Sequence, residues 1–274
     1  MRFLLMTDIE GVTGVTSYEQ AERSAFGREM LMHDLLAVIG GIRSTGAHEI
    51  VVYDMHTDGR NVDMSKLPED VCTVVGKPIN GEDYRGVGGK FDGLFLVGLH
   101  AMSHTPGAML AHSYLREYDE IYLNDILVGE IGVEAALAGE QGIPLLLVSG
   151  DDRGCVEAER LLPGVTTAAV KYSLGPAQAL CRTPDASARI LHNAAQHAVE
   201  QAQTALPWKI GLPVDLKVRF SDCKYLHIMR CLHPEIFEDA HTIHMKGAAL
   251  LPLWSEYLVY EQEMLDEALR SASC

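Results

Sequence analysis

Four apolar runs, FLLMT at 3–7, EIVVYD at 49–54, GLFLVGL at 93–99 and PLLLVSG at 144–150, each break abruptly into polar or Gly-containing sequence, and this repeat constrains the chain more than any other feature. Runs this short and this continuously apolar suit strands buried on both faces, as in a parallel sheet covered by helices. The intervening EMLMHDLLAVIGGIRSTG carries apolar residues at helical spacing and ends on Gly46, so the first crossover is predicted to be a helix. EIYLNDILVGEIG at 120–132 divides at Asn124-Asp125 into a predicted hairpin, and VEAALAG beyond it reads as a helix. CVEAERLLPG predicts a further helix and TTAAVKY a further strand. The fold class expected is α/β, with a mostly parallel central sheet flanked by helices.

The texture changes near Lys171. GPAQALCRTP reads as a Pro-bounded connector, and 184–205 is a long Ala-rich helix with Pro184 in its first turn. VDLKVRFSD at 214–222 alternates as a strand with one wet face, and SEYLVYEQEMLDEALRSA is an amphipathic helix. These features place a boundary near Lys171, between an α/β domain over 1–172 and a smaller C-terminal α+β region over 173–274.

Composition narrows the function classes. With 38 acidic against 22 basic residues the formal charge is −16, a balance that repels phosphate backbones and anionic lipid surfaces, so neither nucleic acid nor membrane is expected as a partner. The opening MRFLLMTD meets Asp8 before a signal-peptide apolar region forms, and a cytoplasmic location is expected. Cys72, Cys155, Cys181, Cys223, Cys231 and Cys274 include no CxxC pair and read as reduced thiols.

The chemistry concentrates where the strands end. Asp8 and Glu10 lie two apart on an extended segment, which puts their α-carbons about 6.6 Å apart on one side of the chain. Two carboxylates at the dry edge of a core repel each other and call for a cation or a proton. The second strand ends Asp54-Met55-His56, the third ends at His100, and Glu130 follows the hairpin near a helix start. Each of these alone is more often structural; together they make three carboxylates and two imidazoles at one sheet edge. Two divalent ions carry four positive charges against three carboxylates, so one hydroxide completes neutrality. Imidazole and carboxylate donors suit zinc, and zinc pairs about 3.5–4 Å apart are recurring hydrolytic devices. Spacing does not choose between His104 and His112 as a further active group. Asp151 and Asp152 fit a helix cap as well as an amine-binding site, and Lys171 reads first as a surface lysine, with oxyanion stabilisation as the alternative.

At these residues the chain resembles the D-aminopeptidases of the DppA type, a family of dinuclear zinc metallopeptidases. The resemblance rests on MTDIEGVTG at 6–14, VVYDMHTDGRN at 51–61, LVGLHAMSHTPGAMLAHS at 96–113, LNDILVGEIGVEAALAG at 123–139, LLVSGDDR and VTTAAVK, in the family's order over about the first 170 residues. It implies two Zn2+ per subunit, with Asp8 bridging, Glu10 and His100 completing one site, and His56 and Glu130 the other. It also implies His112 as the catalytic histidine, short peptides with N-terminal D-residues of the D-Ala type as substrates, and a ring-like homo-oligomer, a decamer. Two other readings of the same residues are a two-metal phosphoesterase, which the lack of a basic phosphate clamp disfavours, and a non-catalytic oligomeric binding protein. The absence of thiolates and the sparse ligation disfavour the latter, since structural zinc sites are closed and often thiolate-rich.

Overall fold

The computed structural model describes residues 1–77 and 87–272. The strand pattern condenses into two sheets. The larger one is built from β1 (Arg2–Thr7), β2 (Glu49–Asp54), β3 (Val71–Val74), β4 (Gly93–Leu99), β7 (Leu145–Asp151), β8 (Thr166–Gly175) and β9 (Gln178–Cys181), in the order β3-β2-β1-β4-β7-β8-β9. Every pairing in it is parallel except β8 with β9. The smaller sheet is antiparallel, ordered β11-β10-β5-β6, from β5 (Tyr118–Leu123), β6 (Ile126–Val128), β10 (Val214–Phe220) and β11 (Thr242–Gly247).

Alternation along β1 shows how the large sheet is covered on both faces. Phe3 and Leu5 point to one side, into a core with α2 (Ala25–Arg43) and α5 (Pro184–Gln201). Leu4 and Met6 point to the other, into a core with α3 (Glu130–Glu140), the small sheet and α7 (Leu250–Ala272), whose Trp254 and Tyr257 are fully buried. A strand apolar at every position is thus buried on both faces. The shorter helices are α1 (Tyr18–Arg23), α4 (Asp152–Leu161) and α6 (Lys224–Leu232).

The runs at 3–7, 49–54, 93–99, 144–150 and 166–172 all become strands of the large sheet, and the hairpin about Asn124-Asp125 forms with both turn residues at positive φ. The connector over 175–184 instead contains β9, which pairs with β8 and closes the sheet edge. Both sheets also cross the boundary expected at 172: β9 extends the large sheet, and β10 pairs with β5 from the first half. β3, β11 and α6 are too short or too irregular in pattern to be legible. Among the described residues no helix is long and apolar enough to cross a membrane. Cys72, Cys155, Cys181, Cys223 and Cys231 are free, and Cys274 lies outside the described residues.

Candidate metal centre

β1 has β2 on one side and β4 on the other, so the chain reverses its direction of winding at β1 and leaves a crevice at the carboxyl ends of these strands. Asp8 and Glu10 leave β1 there, His56 follows β2 and His100 follows β4. The backbone holds the exit tightly: Asp8 N–H donates to Val97 O at 2.8 Å, Gly11 N–H to Gly98 O at 2.7 Å and Met55 N–H to Thr7 O at 3.0 Å. Gly98 makes this approach possible. Its φ is +81°, and a Cβ there would sit 2.2 Å from the Asp8 carbonyl oxygen.

The five side chains converge. Asp8, Glu10, His56, His100 and Glu130 are each no more than 6% exposed. His56 Nδ1 lies 2.9 Å from Asp8 Oδ1 and 3.0 Å from Glu10 Oε2, while His100 Nε2 lies 3.3 Å from Asp8 Oδ2 and 3.4 Å from Glu130 Oε1. Asp8 therefore stands between the two imidazoles. The ligand-type atoms of Asp8, Glu10 and His100 are mutually within 4.8 Å, as are those of His100, His112 and Glu130. The contacts of His56 run to Asp8 and Glu10.

Electrostatics gives this cluster an appetite for positive charge. Burial opposes charge on His56, but the Asp8 and Glu10 carboxylates outweigh it and push the imidazole up to about 10. His100 is likewise raised against burial by Glu130 and Asp8, and Asp8 is held well below the carboxylate range, despite burial, by His100 and His56. Both shifts favour a proton on each imidazole in the absence of metal, which offsets two of the three carboxylate charges. Asp8 Oδ2, Glu10 Oε2 and His100 Nε2 meet only the ion-pair contacts given above, without full hydrogen-bond geometry, and the buried His56 Nε2 has no hydrogen-bond partner. His100 Nδ1 faces the Ala101 carbonyl at 3.0 Å and must donate to it, which turns a lone pair at Nε2 toward the carboxylates in neutral imidazole. Oxygen and nitrogen donors without thiolates fit zinc.

His112 joins from the loop after β4. Its ring stacks on His100 with centroids 4.1 Å apart and planes 8° from parallel, and its Nδ1 donates to Leu110 O at 2.9 Å. Nε2 accordingly carries the lone pair in the neutral ring and lies 3.9 Å from Glu130 Oε1. This loop is strained, with Leu110 and Tyr114 at φ of +52° and +57°. Tyr114 N–H donates to Glu130 Oε1 at 2.7 Å, which ties the loop to α3. His104, the competing histidine, is exposed and pairs with Asp119.

Lys171 is not a surface lysine. It is fully buried, and its Nζ donates to the carbonyls of Glu10, Val12 and Val15. The β7–β8 register shifts between Gly150 and Asp151, opposite Lys171, and buries it beside Val170 where strict alternation would expose it. Burial draws this ammonium down to about 8. Asp151 caps α4, accepting from the N–H groups of Arg153 and Gly154. Glu157, one turn on, accepts from Met102 N–H at 2.8 Å, with its other oxygen facing Gly129, so it links the segments that carry His100 and Glu130. A sequence signal for Glu157 exists: an acid on the stripe Gly154, Glu157, Ala158, Leu161 faces the core at helical spacing.

The centre opens into a cavity of about 400 Å³ lined by Asp8, Glu10, His56, His112 and Glu130, and by α7 residues that include Leu258 and Glu261. The helix expected near the C-terminus therefore forms a wall of the cavity.

Comparison with known proteins agrees with this architecture. The description "D-aminopeptidase" belongs to the family whose sequence model matches residues 1–255. A curated D-aminopeptidase from Bacillus subtilis (strain 168) is 28% identical over 281 residues, with 100% of both chains covered. The solved structure of the "Zn-dependent D-aminopeptidase DppA from Bacillus subtilis, a self-compartmentalizing protease" superposes with a TM-score of 0.87 at 27% identity, covering 97% of this chain and 98% of that one.

Proposed function

Because this chain belongs to the D-aminopeptidase family, we propose that the buried cluster of Asp8, Glu10, His56, His100 and Glu130 holds two zinc ions and that His112 is the catalytic histidine beside them. The chain is a zinc aminopeptidase. The reading extends this to short peptides with N-terminal D-residues, D-Ala among them. The observation that supports the site assignment is the convergence of five ligand-type side chains from four separated segments into one buried cluster, in which His56 Nε2 has no hydrogen-bond partner.

Zinc bound there supplies positive charge that polarises the scissile carbonyl and acidifies water. Asp8, whose two oxygens face His56 and His100, would be the ligand held in common. His112 keeps its proton on Nδ1 through the Leu110 carbonyl, so Nε2 can take a proton from the attacking water or itself attack the scissile carbonyl carbon, and His100 packs the ring in place. Glu22, Glu117, Glu134 and Glu261 give the cavity an acidic wall suited to a free α-amine.

We also propose that the chain forms a closed homo-oligomer, a decamer, in keeping with the self-compartmentalizing relative, and acts in the cytoplasm, where its free thiols stay reduced. The test combines metal analysis with a panel of D-Ala and L-Ala dipeptides. Wild type binds two zinc ions and cleaves the D-dipeptides faster. Asp8→Asn loses both metal and turnover, whereas His112→Ala keeps both ions and loses about 10²–10⁴ in turnover. Full activity in Asp8→Asn refutes the site assignment, and light scattering reads the assembly.

A further inference from the structure

The cavity wall carries one cation seated on the aromatic side chain that also touches the catalytic histidine. The Arg116 guanidinium lies over the Tyr18 ring, 4.5 Å from its centroid. The same ring meets His112 edge-on, with centroids 5.7 Å apart. Arg116 and Tyr18 both line the cavity with the metal-centre residues. Arg116 Nη2 pairs with Glu22 Oε1 at 3.1 Å, and its side chain is 54% exposed. A guanidinium has five N–H donors in a planar fork, so this pair fixes its plane against Tyr18 and leaves donors for a second carboxylate.

Among the described lining residues the acids Asp8, Glu10, Glu22, Glu117, Glu130, Glu134 and Glu261 far outnumber the bases, Lys77 and Arg116. Such a wall attracts the amine of a peptide and repels its carboxylate, unless a cation stands where that carboxylate arrives. Lys77 bears electrostatically on Glu261. Arg116 alone of the two is coupled through Tyr18 to His112. An extended peptide spans about 3.3–3.6 Å per residue, so the free carboxylate of a di- or tripeptide ends within reach of a group one aromatic ring from His112.

We infer that Arg116 is the anchor for the C-terminal carboxylate of the substrate, making the enzyme selective for short peptides with a free acid at that end. Glu22 and Tyr18 are positioning residues for the guanidinium. The inference rests on the peptidase reading of the site and adds a carboxylate subsite to it.

The experiment compares the best-cleaved dipeptide as free acid and as C-terminal amide. In wild type, kcat/KM favours the acid by about 10- to 100-fold, the scale of one charge-assisted bidentate pair. In Arg116→Gln the two fall within about threefold of each other, and Arg116→Lys, with a point charge and no fork, lies between. Calorimetry with a dipeptide whose scissile amide is replaced by a methyleneamine, as acid and as amide, reads the same preference in binding without turnover. Equal handling of acid and amide by wild type, or an undiminished preference in Arg116→Gln, overturns the assignment. If neither peptide is turned over, the peptidase reading fails, and the calorimetric preference still decides the role of Arg116.

Discussion

Gly98→Ala isolates the close approach that holds the β1 exit in the candidate metal centre. Gly98 sits at φ +81°, so an alanine costs about 1–2 kcal/mol in backbone conformation alone. Its Cβ would stand 2.2 Å from Asp8 O and 2.6 Å from Val12 Cγ1, well inside contact. Relieving that overlap moves the β1 exit away from β4, which adds about 1–3 kcal/mol of overpacking. The expected loss is about 2–5 kcal/mol. Gly142→Ala supplies the control, because Gly142 has nearly the same φ, +77°, with nothing within 4 Å of the added Cβ. It should lose only the conformational part, about 1–2 kcal/mol. Denaturant unfolding measures both variants, and competition with a chromophoric chelator measures zinc affinity. Gly98→Ala should weaken zinc binding because the displaced carbonyl is that of Asp8, whereas Gly142→Ala should bind zinc as wild type does. Equal destabilisation of the two variants, or wild-type zinc affinity in Gly98→Ala, refutes the reasoning.

Burial pushes the Glu157 carboxyl up to about 7 from its ordinary 4.5, so between those values the folded protein holds a proton that the unfolded chain has released. Stability therefore falls as pH rises through this window, by up to about 3 kcal/mol, and the difference in unfolding free energy between wild type and Glu157→Gln should shrink by that order from pH 5 to 7.5; parallel profiles would contradict it. Lys171→Met leaves the carbonyls of Glu10, Val12 and Val15 without their donor and should cost about 2–5 kcal/mol while weakening zinc binding. Unchanged unfolding and unchanged metal affinity would show that the ammonium does not organise the β1 exit. Saturating zinc should raise the thermal midpoint of wild type, and a chelator should reverse the rise; a midpoint indifferent to both would argue against binding to the folded state.

Much of this protein is written in short stretches of chain. Alternation and apolar runs determine β1, β2, β4, β7 and β8, because a strand's burial is a local pattern of period two or a continuous run. Asp8 with Glu10, Asp54-Met55-His56 and His100 are legible for the same reason: each lies directly after such a run, and parallel strands bring those ends to one edge. What local pattern does not carry is the meeting of segments far apart in sequence. Which of His112 and His104 lies beside the cluster depends on a loop whose strained backbone stacks the first ring on His100 and leaves the second in solvent. The burial of Lys171 depends on a register shift between β7 and β8, and the placing of Arg116 depends on Tyr18 from α1. The pairing of β5 with β10 joins strands about a hundred residues apart, across the boundary expected near 172. Periodicity decides which face of an element is buried; packing against distant elements decides which side chains meet there.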